Sequence, residues 1–144
     1  MEYIINLTQH PATKEQRDAG VIDLPPEEQK VLRGWLTFDD LPSRQVIRER
    51  AYQVAYLAAK EVRRREPDGG EGTINNPEIT RCMIGGAPYL MGPLEKAVNG
   101  MQFGGGALRA VYAFSAREGE KDIPQKDGSM KKVVIFRHLG FVDE

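Results

Sequence analysis

Cysteine and histidine are nearly absent from this chain: Cys82, His10 and His138 are all it has among its 144 residues. One cysteine excludes an internal disulfide, and its apolar, strand-like neighbours predict a buried, reduced thiol rather than a nucleophile. So few sulfur and imidazole ligands leave a zinc centre without its usual donors. Neither sign of charge dominates, with 20 basic against 21 acidic residues and a formal net charge of -1. That balance argues against an extended nucleic-acid surface but permits a local basic pocket for a small anion. No apolar run approaches the roughly 20 residues of a membrane span, and the N-terminus lacks a basic-then-apolar signal pattern. The expectation is a soluble, cytoplasmic protein that needs no cofactor. Two phosphate-binding fingerprints are missing as well. No Gly-Lys-Ser/Thr follows a glycine-rich loop, and no GxGxxG spacing occurs.

What is present is an alternation of strand and helix. Tyr3-Ile4-Ile5 predicts a strand over 3–7, and Thr13-x-x-Gln16 reads as a capping box for a helix over 13–19. Gly20 stops that helix before a short strand, Val21 to Leu24. Pro25-Pro26-Glu27-Glu28 opens a helix expected to bury Val31, Leu32 and Trp35. Ser43 caps the longest helix, 43–65, on which Ile47, Ala51, Val54, Ala55, Ala58 and Val62 form one apolar stripe expected to pack on its own sheet. Arg63-Arg64-Arg65 at its end reads as a solvated terminus that suits the helix dipole.

Residues 66–78 lack periodicity and read as a loop. A strand over 79–84 and a helix over 88–98 follow, with Pro93 marking either the helix start or a kink. Strands over 108–114 and 131–137 close the chain through Asp127-Gly128, and so short a connection makes them antiparallel. These elements predict an α/β fold: a single Rossmann-like domain over 1–144, mainly parallel, with an antiparallel C-terminal edge hairpin.

Two strand-to-helix junctions concentrate the polar chemistry. The first is Asn6-Leu-Thr-Gln-His10 and the second Met83-Ile-Gly-Gly-Ala-Pro88. If their strands are parallel neighbours, both junctions lie at the carboxyl edge, where open α/β sheets bind ligands. His10 can exchange protons near neutral pH or stack on a base, or simply hydrogen-bond its own turn. Asn6 and Thr8 can orient a ligand or satisfy backbone groups at the strand end. Gly85-Gly86 lets a backbone approach a phosphate, and close helix–sheet packing explains the pair equally well. Ser115, Arg117 and Glu118 follow a strand that ends at the same edge. Arg117 can fork a phosphate or pair with Glu118. Arg137 and His138 are expected at the opposite edge, carried there by the antiparallel strand.

The opening run Asn-Leu-Thr-Gln-His-Pro-Ala-Thr-Lys-Glu-Gln resembles the start of small CRISPR-associated proteins of the CARF-related ring nuclease group. The closing Val111-Tyr-Ala-Phe-Ser-Ala-Arg-Glu118 and Asp127-Gly-Ser-Met-Lys-Lys-Val-Val-Ile-Phe-Arg-His138 resemble their final hairpin. The chain is also similar to small phage and prophage proteins, which implies a counter-defence role. The resemblance implies a homodimer that binds a cyclic oligoadenylate and cleaves it without metal, switching off defence signalling. It implies catalytic roles for His10, Ser115 and Arg117. Asn6, Thr8, Gln9, Gly85, Gly86 and Glu118 would contact the ligand. The Gly-Gly-Ala-Pro turn departs from the group's pattern. Two other functions fit the same residues: a sensor or sponge that holds a nucleotide signal unchanged, and a protein-interaction module using the alanine-rich helix.

Overall fold

The computed structural model describes residues 2–65, 79–103 and 106–143. The expected loop over 66–78 lies outside the described residues. Strand β1 (Tyr3–Leu7) leads into helix α1 (Lys14–Asp18), strand β2 (Val21–Ile22), and helices α2 (Pro26–Leu36) and α3 (Arg44–Arg64). Strand β3 (Ile79–Ile84) then precedes helix α4 (Pro88–Asn99). A two-stranded ladder, β4 (Gln102–Phe103) with β5 (Gly106–Ala107), stands apart, and the chain closes with β6 (Arg109–Pro124) and β7 (Met130–Asp143). Among the described residues these make four helices and a five-stranded sheet of order β2-β1-β3-β6-β7. β2, β1, β3 and β6 are parallel, and β7 runs antiparallel to β6. This is the expected Rossmann-like α/β fold.

Local chemistry sets the element ends. Thr13 and Gln16 form the capping box, with Gln16 N–H donating to Thr13 Oγ1 at 3.2 Å and Thr13 N–H to Gln16 Oε1 at 3.0 Å. Gly20 has φ +103°, and its carbonyl accepts from Ile4 N–H at 3.0 Å. A Cβ there would lie 2.6 Å from the Glu2 carbonyl oxygen, so only glycine lets β2 start this close to β1. Ser43 Oγ accepts from Val46 N–H at 3.2 Å and caps α3. Helix α4 runs through Pro93 rather than starting at it.

Alternation along the strands divides the core between two faces. Ile5, Leu7, Cys82, Ile84 and Ala110 point to one face, where α3 supplies Ala51, Val54, Ala55, Ala58 and Val62 and α4 supplies Leu90, Leu94 and Val98. The alanine-rich stripe packs on its own sheet, as expected. Each fully buried leucine contributes roughly 1.5–3 kcal/mol. Ile4, Val21, Met83 and Val111 point to the other face, against Ala12 and Phe141. Burial pushes the Cys82 thiol far above its ordinary range and keeps it protonated.

Three expectations about these elements need correction. Val31 is 44% exposed, because Leu32 and Leu36 take the buried stripe of α2 with Trp35 half-buried beside them. Arg64 and Arg65 are not simply solvated: both pair with the buried Glu61, Arg65 Nε donating to Oε1 at 2.6 Å. A buried carboxylate at the end of a helix needs such partners. Finally, the closing hairpin is much longer than 108–114 with 131–137. β6 has 16 residues and β7 has 14, and most of the ribbon extends past the parallel sheet.

Candidate functional site

The strand order reverses between β1 and β3. From β1 the chain moves outward through α1 to β2, and it later returns to the opposite side of β1 as β3. Open α/β sheets leave a crevice at such a point, just beyond the carboxyl ends of the strands. Leu7 pairs with Ile84 there, which sets the two polar junctions side by side. A groove of about 430 Å³ opens between them, lined by Thr8, His10, Thr13, Gln16, Gly85 and Tyr112 among others.

Asn6 builds one wall from beneath. It is 4% exposed, and its side chain is fully engaged. Its Nδ2 donates to the His10 carbonyl and to Asp23 Oδ1, both at 2.8 Å. Its Oδ1 accepts from Thr8 N–H at 2.9 Å and from Thr8 Oγ1 at 2.7 Å. Asp23 Oδ1 also accepts from Ala12 N–H at 3.0 Å, which ties the loop after β1 to the end of β2. Asn6 therefore positions Thr8 and His10 rather than facing the groove. Gln9 turns the other way, its Nε2 donating to the Leu36 carbonyl at 3.3 Å at the end of α2.

The second wall is the turn into α4. Gly86 has φ +148°, a conformation that favours glycine. Gly85 has only Thr8 Cγ2 near the place of a Cβ, at 3.5 Å, so packing alone does not require a glycine there. Its missing side chain leaves the groove open. Ala87 caps α4 without any side-chain hydrogen bond, and Pro88 occupies the first helical position.

Of the residues singled out from the sequence, Thr8, His10 and Gly85 meet in the groove, and Gly86 adjoins them. Ser115 and Arg117 stand farther out on the hairpin; β6 contributes Tyr112 and Ala113 to the groove instead. Arg117 pairs with Glu120 at 2.5 Å, both exposed, and not with Glu118. The register skips Glu118, which returns Glu120 to the face of Arg117. The side chain of Glu118 lies outside the described residues.

Arg137 and His138 do not lie at the opposite edge. Only the end of β7 reaches the parallel sheet, where Asp143 pairs with Val111, so the residues before it lie beyond the carboxyl edge. His138 stands opposite Ser115, and its backbone N–H donates to Glu15 Oε2 of α1 at 2.9 Å. Its ring contacts Phe141 edge-on at 5.0 Å, with both ring nitrogens buried and without a hydrogen-bond partner. Tyr112, Thr13 and Gln16 were missed as groove residues: the tyrosine reads as strand filler and the other two as a helix cap.

Among the described residues no three His, Cys, Asp or Glu side chains cluster as a metal site, and no helix is long and apolar enough to cross a membrane. Fold and groove together define a Rossmann-like α/β domain with a crevice at its strand-order reversal. The chain belongs to the Uncharacterized protein MJ1673 family, whose model matches residues 2–142. Searches of curated proteins and of solved structures returned no match.

Proposed function

We propose that this protein binds a cyclic oligonucleotide messenger, cyclic oligoadenylate, in the groove between β1 and β3 and cleaves it without a metal. The observation that carries this reading is the meeting of Thr8, His10 and Gly85 at the reversal of strand order. A phosphate fits beside a backbone that lacks a Cβ, near the uncapped first turn of α4. The Thr8 hydroxyl, whose proton goes to Asn6 Oδ1, offers its oxygen as an acceptor to a ribose hydroxyl, and Tyr112 offers an aromatic ring to a base.

The reaction is an internal transesterification. A ribose 2′-oxygen attacks the adjacent phosphorus, the 5′-oxygen leaves, and the products carry a 2′,3′-cyclic phosphate and a 5′-hydroxyl. His10 takes the proton from the 2′-hydroxyl, and water protonates the leaving oxygen. Holding the attacking and leaving oxygens in line supplies most of the acceleration. In this reading the catalytic residue is His10. Ser115 and Arg117 act only if the hairpin, or that of a second copy, closes over the ligand.

A homodimer suits a two-fold ligand, and the projecting hairpin supports one. It exposes Phe114, Ile135, Phe136 and Leu139 on a two-stranded ribbon, and among the described residues β7 is the edge strand of the sheet. Isolated ribbons are marginally stable, and natural edges are usually covered. His10→Ala tests the catalytic assignment: ligand binding is retained and cleavage falls at least a hundredfold. Intact ligand recovered from the wild-type protein after saturating binding would instead favour a sensor or sponge.

A further inference from the structure

A second hollow lies across the turn into α4 from the groove. It measures about 380 Å³ and is lined by Arg44, Ile47 and Arg48 of α3 and by Tyr89 and Pro93 of α4. Gly85 belongs to the groove and Tyr89 to this hollow, so one short segment separates the two. Arg44 and Arg48 stand one helical turn apart, and both are exposed. Among the described residues neither guanidinium has an ion pair or a hydrogen bond. Arg50 differs: its Nη1 lies 3.0–3.1 Å from three carbonyls at the end of α2, and its guanidinium covers the Phe38 ring at 5.1 Å. Arg50 is spent on the fold, and Arg44 and Arg48 are not.

The charge placement is unfavourable for the helix by itself. The first turn of α3 contains no acid and instead carries Arg44, where the helix dipole already places partial positive charge. Asp39 and Asp40, just before the helix, line an adjoining hollow with Arg50, and Glu49, next to Arg48 in sequence, accepts from Gln45 Nε2 at 3.2 Å. Tyr89 is 49% exposed and held edge-on by Phe38 at 5.3 Å, so its ring is fixed while the rest stays open. Two uncommitted guanidiniums beside a braced aromatic ring match a phosphate with a base attached. Forked guanidiniums take the phosphate oxygens, and the base stacks on the ring.

The geometry points to a nucleoside-monophosphate site at Arg44, Arg48 and Tyr89, separate from the groove and on the far side of the α4 turn. Its phosphate rests on the two arginines and its base on Tyr89. The site does not depend on cleavage in the groove. If one ligand occupies both, its backbone crosses the Gly85–Tyr89 segment.

The test is titration of the full-length protein with adenosine 5′-monophosphate by calorimetry, beside adenosine and inorganic phosphate alone. Saturable binding of the monophosphate, at least tenfold tighter than either fragment, is expected. Arg44→Gln with Arg48→Gln should weaken it at least tenfold, and Tyr89→Leu several-fold, while Tyr89→Phe leaves it unchanged. All these positions are at least partly solvent-accessible, and unchanged thermal melting verifies that the variants fold. Absence of saturation, or equal affinity in the double arginine variant, would overturn the site. Monophosphate binding that needs the arginines, in a protein that ignores cyclic oligoadenylate, would retain this site and reject the groove reading.

Discussion

Asn6 donates its side-chain amide to Asp23 Oδ1 at 2.8 Å, joining the end of β1 to the residue just past β2. The same asparagine holds Thr8 and the His10 carbonyl, so the shape of the groove depends on a buried group that does not line it. Asn6→Ala should lower stability by about 2–3 kcal/mol, since it leaves Asp23 and the Thr8 N–H short of partners. Asn6→Asp should cost more, because it sets a second carboxylate against Asp23. Urea unfolding of both variants checks the order; an Asn6→Asp protein as stable as wild type would contradict it.

Gly85 and Gly86 are adjacent but differ in what they require. Gly86→Ala forces a side chain into φ +148° and should cost about 1–3 kcal/mol. Gly85→Ala meets only ordinary contact with Thr8, so its stability should stay within about 0.5 kcal/mol of wild type. Its methyl group enters the groove and should weaken ligand binding. Thermal melts paired with ligand titration separate the two effects.

Cys82 gives a pH signature. Its folded-state pKa is raised by burial, so the folded protein holds a proton that the unfolded chain releases above about pH 8.5. Its effect on stability is therefore fully present below that pH and is lost as pH rises, at up to about 1.4 kcal/mol per unit. Cys82→Ala should be less stable at pH 7 through the lost packing, but should lose less stability between pH 8.5 and 10. Thiol reagents should label the wild-type protein only when it unfolds.

The projecting hairpin should hold a dimer together. Phe136 is 62% exposed, yet it lies in the apolar run Val133-Val134-Ile135-Phe136. Light scattering should give twice the chain mass for wild type and one chain mass for Phe136→Asp, with unchanged circular dichroism. A monomeric wild-type protein at micromolar concentration would contradict a dimer.

The parts of this fold that local chemistry determines were legible in the sequence. The Thr13–Gln16 capping box, the Ser43 cap and the alanine stripe of α3 each depend on residues within one or two turns. The hairpin was not legible to its full length. Ser115-Ala-Arg-Glu-Gly-Glu-Lys-Asp122 is too charged to read as strand, yet a continuous ladder with β7 makes it one. That misjudged length displaced His138, because the edge it reaches depends on where β7 ends. The junctions of β1 and β3 were legible as polar strand ends, but their adjacency rests on long-range pairing that no local pattern encodes. Nothing in the sequence singles out Arg44 or Arg48; only the packing of α3 against α4 places them beside Tyr89.

The most direct test of the central claim is incubation of the purified protein with a panel of cyclic oligoadenylates in chelator, followed by mass spectrometry. Linear products ending in a 2′,3′-cyclic phosphate are expected from the wild type, and intact ring from His10→Ala. Intact rings across the whole panel, with no change in the melting temperature of the protein, would contradict both cleavage and binding in the groove.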